Sequence, residues 1–154
     1  MENKTVLTYG TFDMFHIGHL ELLKRLKKLG TKLIVAVSTD EFNEVKGKKT
    51  IIPYAQRASI VEAIQYVDMV IPENDWEQKI SDIKNLDVDI FAMGNDWEGK
   101  FDFLEEHCEV VYLPRTSNIS SSDLKQQLHK ISEINMEDIN KAFEILQRLK
   151  SDFE

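Results

Sequence analysis

The stretch LTYGTFDMFHIGH, Leu7 to His19, decides how the rest of the chain reads. Val6–Tyr9 is apolar and β-branched enough for a buried strand, and Gly10 begins a tight turn. A helix follows whose first turn carries His16 and His19. Residues three apart share a helix face, so the two imidazoles can address one object. Gly18 between them leaves the backbone bare, which lets a flat or anionic group come close. A helix N-terminus after a parallel strand is itself an anion site, because its unpaired N–H groups and dipole favour negative charge. The combination points to a phosphate being worked on. Two incidental histidines at a helix start are the plain alternative. A metal site is the weaker one, since Asp13 is the only nearby carboxylate to join them.

Working outward, Lys4–Tyr9 reads as the first strand. Ile17, Leu20, Leu23, Leu26 and Leu29 recur at helical spacing, with Lys27, Lys28 and Gly30 marking the end. Lys32–Ser38 is a near-continuous apolar run, as a parallel strand covered on both faces requires. The segment from Asp40 to Pro53 is polar and lysine-rich and reads mostly as a loop. A helix is expected from about Tyr54 to Gln65 with Ile60, Val61 and Ile64 inward, then a third strand, Tyr66–Ile71, closed by Pro72. Trp76–Asn85 reads as a short amphipathic helix, Val88–Met93 as a fourth strand, and Glu109–Leu113 as a fifth, with a loop and short helix over 95–107. Five apolar strands alternating with helices predict an α/β fold, a Rossmann-like doubly wound five-stranded parallel sheet. Ligands of such sheets sit beyond the carboxyl ends of the strands. Three segments fall there: the histidine turn, GNDW after the fourth strand and PRTSNISSS after the fifth.

Beyond the sheet, Ser120 to Ile131 reads as a helix capped by Ser120, Ser121 or Ser122. From Asn135 an extra C-terminal helix shows an apolar stripe through Ile139, Phe143, Leu146, Leu149 and Phe153, fit to pack on its own domain or on a second subunit. The expected organisation is a domain over 1–131 and a helical extension over 132–154.

The totals narrow the function. The chain has 154 residues, 42% hydrophobic and 30% charged, as a globular domain does. A net charge of −8 argues against a nucleic-acid surface. No stretch approaches a membrane span and no leader is visible, so no membrane insertion is expected. The single Cys108 fits a reducing compartment, and a cytoplasmic location is expected. Against the acidic total, two basic clusters stand out: Lys46, Lys48 and Lys49 in one loop, and Arg115 beside the serine run. A charge run is by default a solvated face, and a serine run is by default a helix cap. Either could equally hold phosphate. No Walker loop and no Ser–His–Asp or Cys–His arrangement is signalled. An acceptor that already carries a phosphate needs no activating base, so positioning and charge stabilisation would suffice.

TFDMFHIGH resembles the HxGH signature of the nucleotidyltransferase superfamily, and RTSNISSS is similar to its second signature. STDEFN (Ser38–Asn43), YVDMVIPENDWEQK (Tyr66–Lys79), MGNDWEGKFDFL (Met93–Leu104) and CEVVYLPRT (Cys108–Thr116) resemble the bacterial glycerol-3-phosphate cytidylyltransferases, over about Val6 to Leu128. The resemblance implies transfer of a cytidylyl group from CTP to sn-glycerol 3-phosphate, with Mg²⁺ on the triphosphate, in a homodimer. It implies that His16 and His19 contact the CTP phosphates and stabilise the transition state. Thr11 and Phe12 would line the nucleotide site, with Gly18 allowing close approach. Lys46 would meet the acceptor phosphate, Lys48 the nucleotide phosphates, and Lys79 the acceptor again. Asp96 would lie where the base is read, and Arg115, Thr116, Ile119, Ser120, Ser121 and Ser122 would close over CTP.

Three positions depart from that pattern: Gln65 where arginine is common, Asn95 where aspartate is, and Ile17 where an aromatic is. They bear on the acceptor more than on cytidylyl transfer. The near alternative is the same chemistry on phosphoethanolamine or phosphocholine, whose cation would want an aromatic pocket, for which Trp76 and Trp97 are available. The other is a nucleotide-binding module without catalysis, acting through its last helix.

Overall fold

The computed structural model of the chain describes residues 2–114, 121–132 and 136–153. They form two compact units, Met1–Ser121 and Ser122–Glu154. The first is built on strands β1 (Thr5–Gly10), β2 (Lys32–Ser38), β3 (Met69–Glu73), β4 (Ile90–Gly94) and β5 (Glu109–Leu113). All pair in parallel, in the order β3-β2-β1-β4-β5. The winding reverses at β1, which lies between β2 and β4, and this is the doubly wound sheet expected from the sequence.

The pleat sends successive side chains to opposite faces, and two cores result. Val6, Leu33, Val35, Val37, Ile90 and Ala92 face one way and meet Leu23 and Leu26 of α1 (Ile17–Lys27) and Val61 of α3 (Tyr54–Glu62). Leu7, Ile34, Ala36, Phe91 and Met93 face the other way and meet Ile83 of α4 (Gln78–Asn85) and Leu104 of a 3-10 turn, Asp102–Glu106. Every residue of β2 after Lys32 is buried, because helices cover both faces. At the carboxyl edge the register sets Gly10 beside Val37, Ser38 beside Glu73, and Gly94 beside Leu113. That alignment gathers side chains far apart in sequence onto one rim.

Several expectations shift. The expected loop after Asp40 opens with a helix, α2 (Asp40–Val45), because the Thr39 hydroxyl caps the amide of Phe42 and Asp40 and Glu41 favour its first turn. The third helix is shorter than expected, ending at Glu62, and Ile60 is exposed instead of inward; Val61 alone of the trio is fully buried. The third strand starts later and runs through Pro72 to Glu73. Proline is tolerated there because β3 is an edge strand, with no partner on its outer side among the described residues. α4 begins at Gln78, not Trp76. Gly10 and Gly30 are needed for close approach and not for turn geometry. A Cβ on Gly10 would sit 2.6 Å from the Phe12 ring, and one on Gly30 2.4 Å from the Lys4 carbonyl oxygen.

The second unit holds all but the first residue of α5 (Ser121–Ser132) and the whole of α6 (Met136–Asp152), the extra C-terminal helix. Its stripe is exposed at Ile139, Phe143, Leu146 and Leu149, with Phe153 just beyond its end. Among the described residues no helix is long and apolar enough to cross a membrane.

Candidate active site

The turn after β1 is held by two non-glycine residues in the left-handed region, Phe12 at φ 53° and Met14 at φ 50°. Such backbone costs energy and persists where its surroundings over-determine it. Between them, buried Asp13 accepts from the amides of Ile51 (2.8 Å) and Ile52 (2.9 Å). It therefore pins the exit of the lysine loop to the turn. Among the described residues no group of three or more His, Cys, Asp or Glu is placed to hold a metal ion.

His16 is the cap of α1 and not part of its first turn. Its Nδ1 accepts from the Gly18 amide at 3.0 Å, and His19 Nδ1 accepts from the His16 amide at 3.3 Å. The two rings stack with centroids 4.0 Å apart. Because each Nδ1 is an acceptor, each neutral ring carries its proton on Nε2. Burial lowers the pKa of His16; burial, then the neighbouring His16, lowers that of His19 to about 4 despite the opposing Asp13 carboxylate. At neutral pH the pair is a set of uncharged N–H donors, and neither ring offers a lone pair for a general base. His16 Nε2 is buried and has no hydrogen-bond partner among the described residues. The Phe12 ring packs edge-on against His19 at 5.4 Å.

A second cluster stands at the ends of β2 and β3. Buried Glu73 receives Lys46 Nζ on Oε1 (3.4 Å) and Lys79 Nζ on Oε2 (3.2 Å). Ser38 Oγ donates to Glu73 Oε1 at 2.5 Å and accepts from Lys46 Nζ at 2.9 Å. Lys79 is only 3% exposed. Two ammoniums share this one carboxylate, so the trio by itself carries excess positive charge, and a bound anion would stabilise it. Burial lowers the pKa of Lys46, with Lys48 and Lys79 adding to that and Glu73 opposing it. Aromatic faces support the cations. Lys46 Nζ lies 4.6 Å from the Phe42 centroid, and Lys79 Nζ lies 4.6 Å from Tyr9, 5.5 Å from Phe101 and 5.8 Å from Trp76. Lys48 Nζ lies 5.9 Å from Trp97.

Arg57 ties these parts together. Fully buried on α3, its Nε donates to the Ile52 carbonyl (2.8 Å), its Nη1 to those of Thr11 and Ser38 (2.8 Å each), and its Nη2 to Asp40 Oδ1 (2.7 Å). The Tyr54 amide, aided by Arg57, holds the Asp40 carboxyl below its ordinary value. One guanidinium thus fixes the histidine turn, the end of β2, the start of α2 and the exit of the lysine loop.

Of the residues expected from the sequence, Thr11, Phe12, His16, Gly18 and His19 share the turn and the start of α1. Lys46 and Lys79 come together across Glu73, and Lys48 extends the same loop toward Trp97. Asp96 sits exposed in the 3-10 turn Asn95–Trp97 after β4. Arg115, Thr116, Ile119 and Ser120 lie outside the described residues; Ser121 and Ser122 begin the backbone of α5. Sequence reading missed Glu73, Ser38 and Arg57. Glu73 was legible only as the carboxylate six residues before Lys79, and Arg57 reads as one more charge on a surface helix.

The cytidylyltransferase-like family matches residues 7–127. The glycerol-3-phosphate cytidylyltransferase of Staphylococcus aureus is 56% identical over 126 residues, covering 82% of this chain and 96% of that protein. That of Bacillus subtilis is 58% identical, covering 81% and 97%. An FAD synthase of Pyrococcus abyssi is 34% identical, covering 96% of this chain and 93% of its own. Among solved structures, the lipopolysaccharide core biosynthesis protein of Thermoplasma volcanium shares the fold, with a TM-score of 0.67 at 24% identity over 74% of this chain and 98% of that one. With a family match across most of its length and relatives above half identity, this chain belongs to the cytidylyltransferase-like family.

Proposed function

We propose that this protein transfers the cytidylyl group of CTP to sn-glycerol 3-phosphate, giving CDP-glycerol and pyrophosphate. The observation that carries the acceptor is the buried Lys46–Glu73–Lys79 cradle, whose excess positive charge suits a phosphomonoester. It also argues against a cationic acceptor. The faces of Phe42, Tyr9 and Phe101 that would hold a quaternary ammonium already hold lysine ammoniums, with Trp76 and Trp97 close to them as well. Phosphocholine or phosphoethanolamine would meet like charge.

In this reading an acceptor phosphate oxygen attacks the α-phosphorus in line. A P–O bond forms as the bond to the β-phosphate oxygen breaks, and pyrophosphate leaves with the electron pair. The nucleophile is already anionic, so no proton need be removed, in keeping with a histidine pair that has no free lone pair. His16 and His19 act instead as donors to charge developing on the CTP phosphates. Lys46 and Lys79 place the acceptor and Lys48 the nucleotide phosphates. Thr11, Phe12 and Gly18 shape the nucleotide site, Asp96 reads the base, and Arg115 with Thr116 to Ser122 closes over it. Mg²⁺ fits as part of the nucleotide substrate: the described residues assemble no carboxylate cluster, and Asp13 is committed to two amides, so its ligands would be phosphate oxygens and water. Bound there, it supplies charge neutralisation on the leaving pyrophosphate.

The same reading makes the protein a cytoplasmic homodimer serving teichoic acid or a related glycerol-phosphate polymer. Incubation with CTP, Mg²⁺ and sn-glycerol 3-phosphate tests it. CDP-glycerol and pyrophosphate in equal amounts are expected, and CTP binding without any product would leave a binding module instead.

A further inference from the structure

Two buried side-chain nitrogens among the described residues lack any hydrogen-bond partner, His16 Nε2 and Asn43 Nδ2. The first belongs to the histidine pair. The second has no role in the mechanism above. Asn43 is 1% exposed, on the last turn of α2. Its backbone carbonyl accepts from the Lys48 amide at 2.8 Å, and its Oδ1 accepts from the Thr11 hydroxyl at 3.2 Å. It therefore bridges the turn after β1 and the loop that carries Lys46 and Lys48.

Leaving a buried amide N–H₂ group unpaired is unfavourable, and native proteins seldom do it without a reason. An apolar side chain would fill the space at no such cost. The two orphans are the same chemical type: N–H donors whose other polar atom is taken by the turn or the helix start. What two such donors lack in common is an oxygen that only accepts, which phosphate oxygens supply.

We propose that Asn43 is a substrate-binding residue whose side-chain N–H donates to a phosphate oxygen of the bound substrates, linking the lysine loop to the histidine turn when the site fills. This rests on the cytidylyl-transfer reading. Asn43→Asp keeps the shape and an acceptor for Thr11 but replaces the donor with an anionic oxygen. Asn43→Leu removes the orphan altogether. Losing one hydrogen bond to a charged group corresponds to a rise in KM of about tenfold to a hundredfold. That rise is expected in both variants, with the thermal midpoint of free Asn43→Leu equal to or above that of the parent protein. Separate titrations of CTP and glycerol 3-phosphate tell which phosphate is held. Unchanged KM for both substrates, or activity lost only in step with a lowered midpoint, would overturn the proposal. Should the parent protein turn over neither substrate, the functional reading fails by itself. Asn43 is then judged by the rises in midpoint that CTP and glycerol 3-phosphate each induce: loss of either in Asn43→Asp supports the role, and persistence of both overturns it.

Discussion

At the scale of single residues, the histidine pair caps α1 and, on the proposed mechanism, donates to developing charge; stability and kinetics read the two roles separately. On the proposed mechanism His16→Ala and His19→Ala each remove a donor to developing charge, and kcat is expected to fall about 10²–10³-fold. Each also breaks the reciprocal cap of α1, costing about 1 kcal/mol. A circular-dichroism melt should therefore show a folded protein, slightly less stable, behind the large kinetic loss. The pair also sets a pH dependence. The unfolded chain protonates His19 near its ordinary 6.5, whereas the folded chain resists until about 4. Unfolding thus takes up a proton between those values, and stability is present above 6.5 and lost as pH falls toward 4. The thermal midpoint should decline across that window, and His19→Gln should flatten the slope; identical slopes would place the shift elsewhere. The spacing of His16 and His19 at a strand-to-helix turn was legible in the sequence. Their tautomers were not, because only the positions of the Gly18 and His16 amides decide which nitrogen is left to donate.

At the scale of elements, Arg57 and the lysine cradle decide whether the rim holds together. Arg57→Ala strands three carbonyls and a carboxylate and should cost about 3–5 kcal/mol, read as a lowered urea midpoint. Arg57→Lys cannot span four acceptors and should recover little of it. Lys79→Met keeps the packing against Tyr9 and Phe101 but removes one cation of the cradle. The acceptor KM should rise about tenfold to a hundredfold while the CTP-induced rise in midpoint stays intact. An equal loss for both substrates would argue that the cradle serves the nucleotide. The extent of β2 and β5 was legible because both are short apolar runs between clear breaks. α2 was missed although Thr39, Asp40 and Glu41 make a sound helix start, since the lysines after them dominate the composition. The cradle was half legible. Lys46 and Lys79 were expected at one ligand, but Glu73 joins them only through the register that sets Ser38 beside it.

At the scale of the whole molecule, alternating strands and helices sufficed for a doubly wound sheet, because covered parallel strands and amphipathic helices have distinct patterns. The order β3-β2-β1-β4-β5 then puts the histidine turn at the point where winding reverses. The extra helix is a different matter. Its stripe was plain in the sequence, but a stripe does not name what covers it. The cytidylyltransferase-like family match ends at residue 127, so α6 lies beyond it. Removing residues 133–154 should leave kcat/KM for both substrates unchanged, and a large fall would bring α6 into the active unit. The central claim is that the Lys46–Glu73–Lys79 cradle selects a phospho-alcohol that carries no cationic group for cytidylyl transfer. It is tested most directly by pyrophosphate release from CTP with glycerol 3-phosphate, phosphoethanolamine and phosphocholine in turn. Turnover is expected with glycerol 3-phosphate, at a kcat/KM well above that of either amine. Preference for an amine, or no pyrophosphate with any of the three, would contradict it.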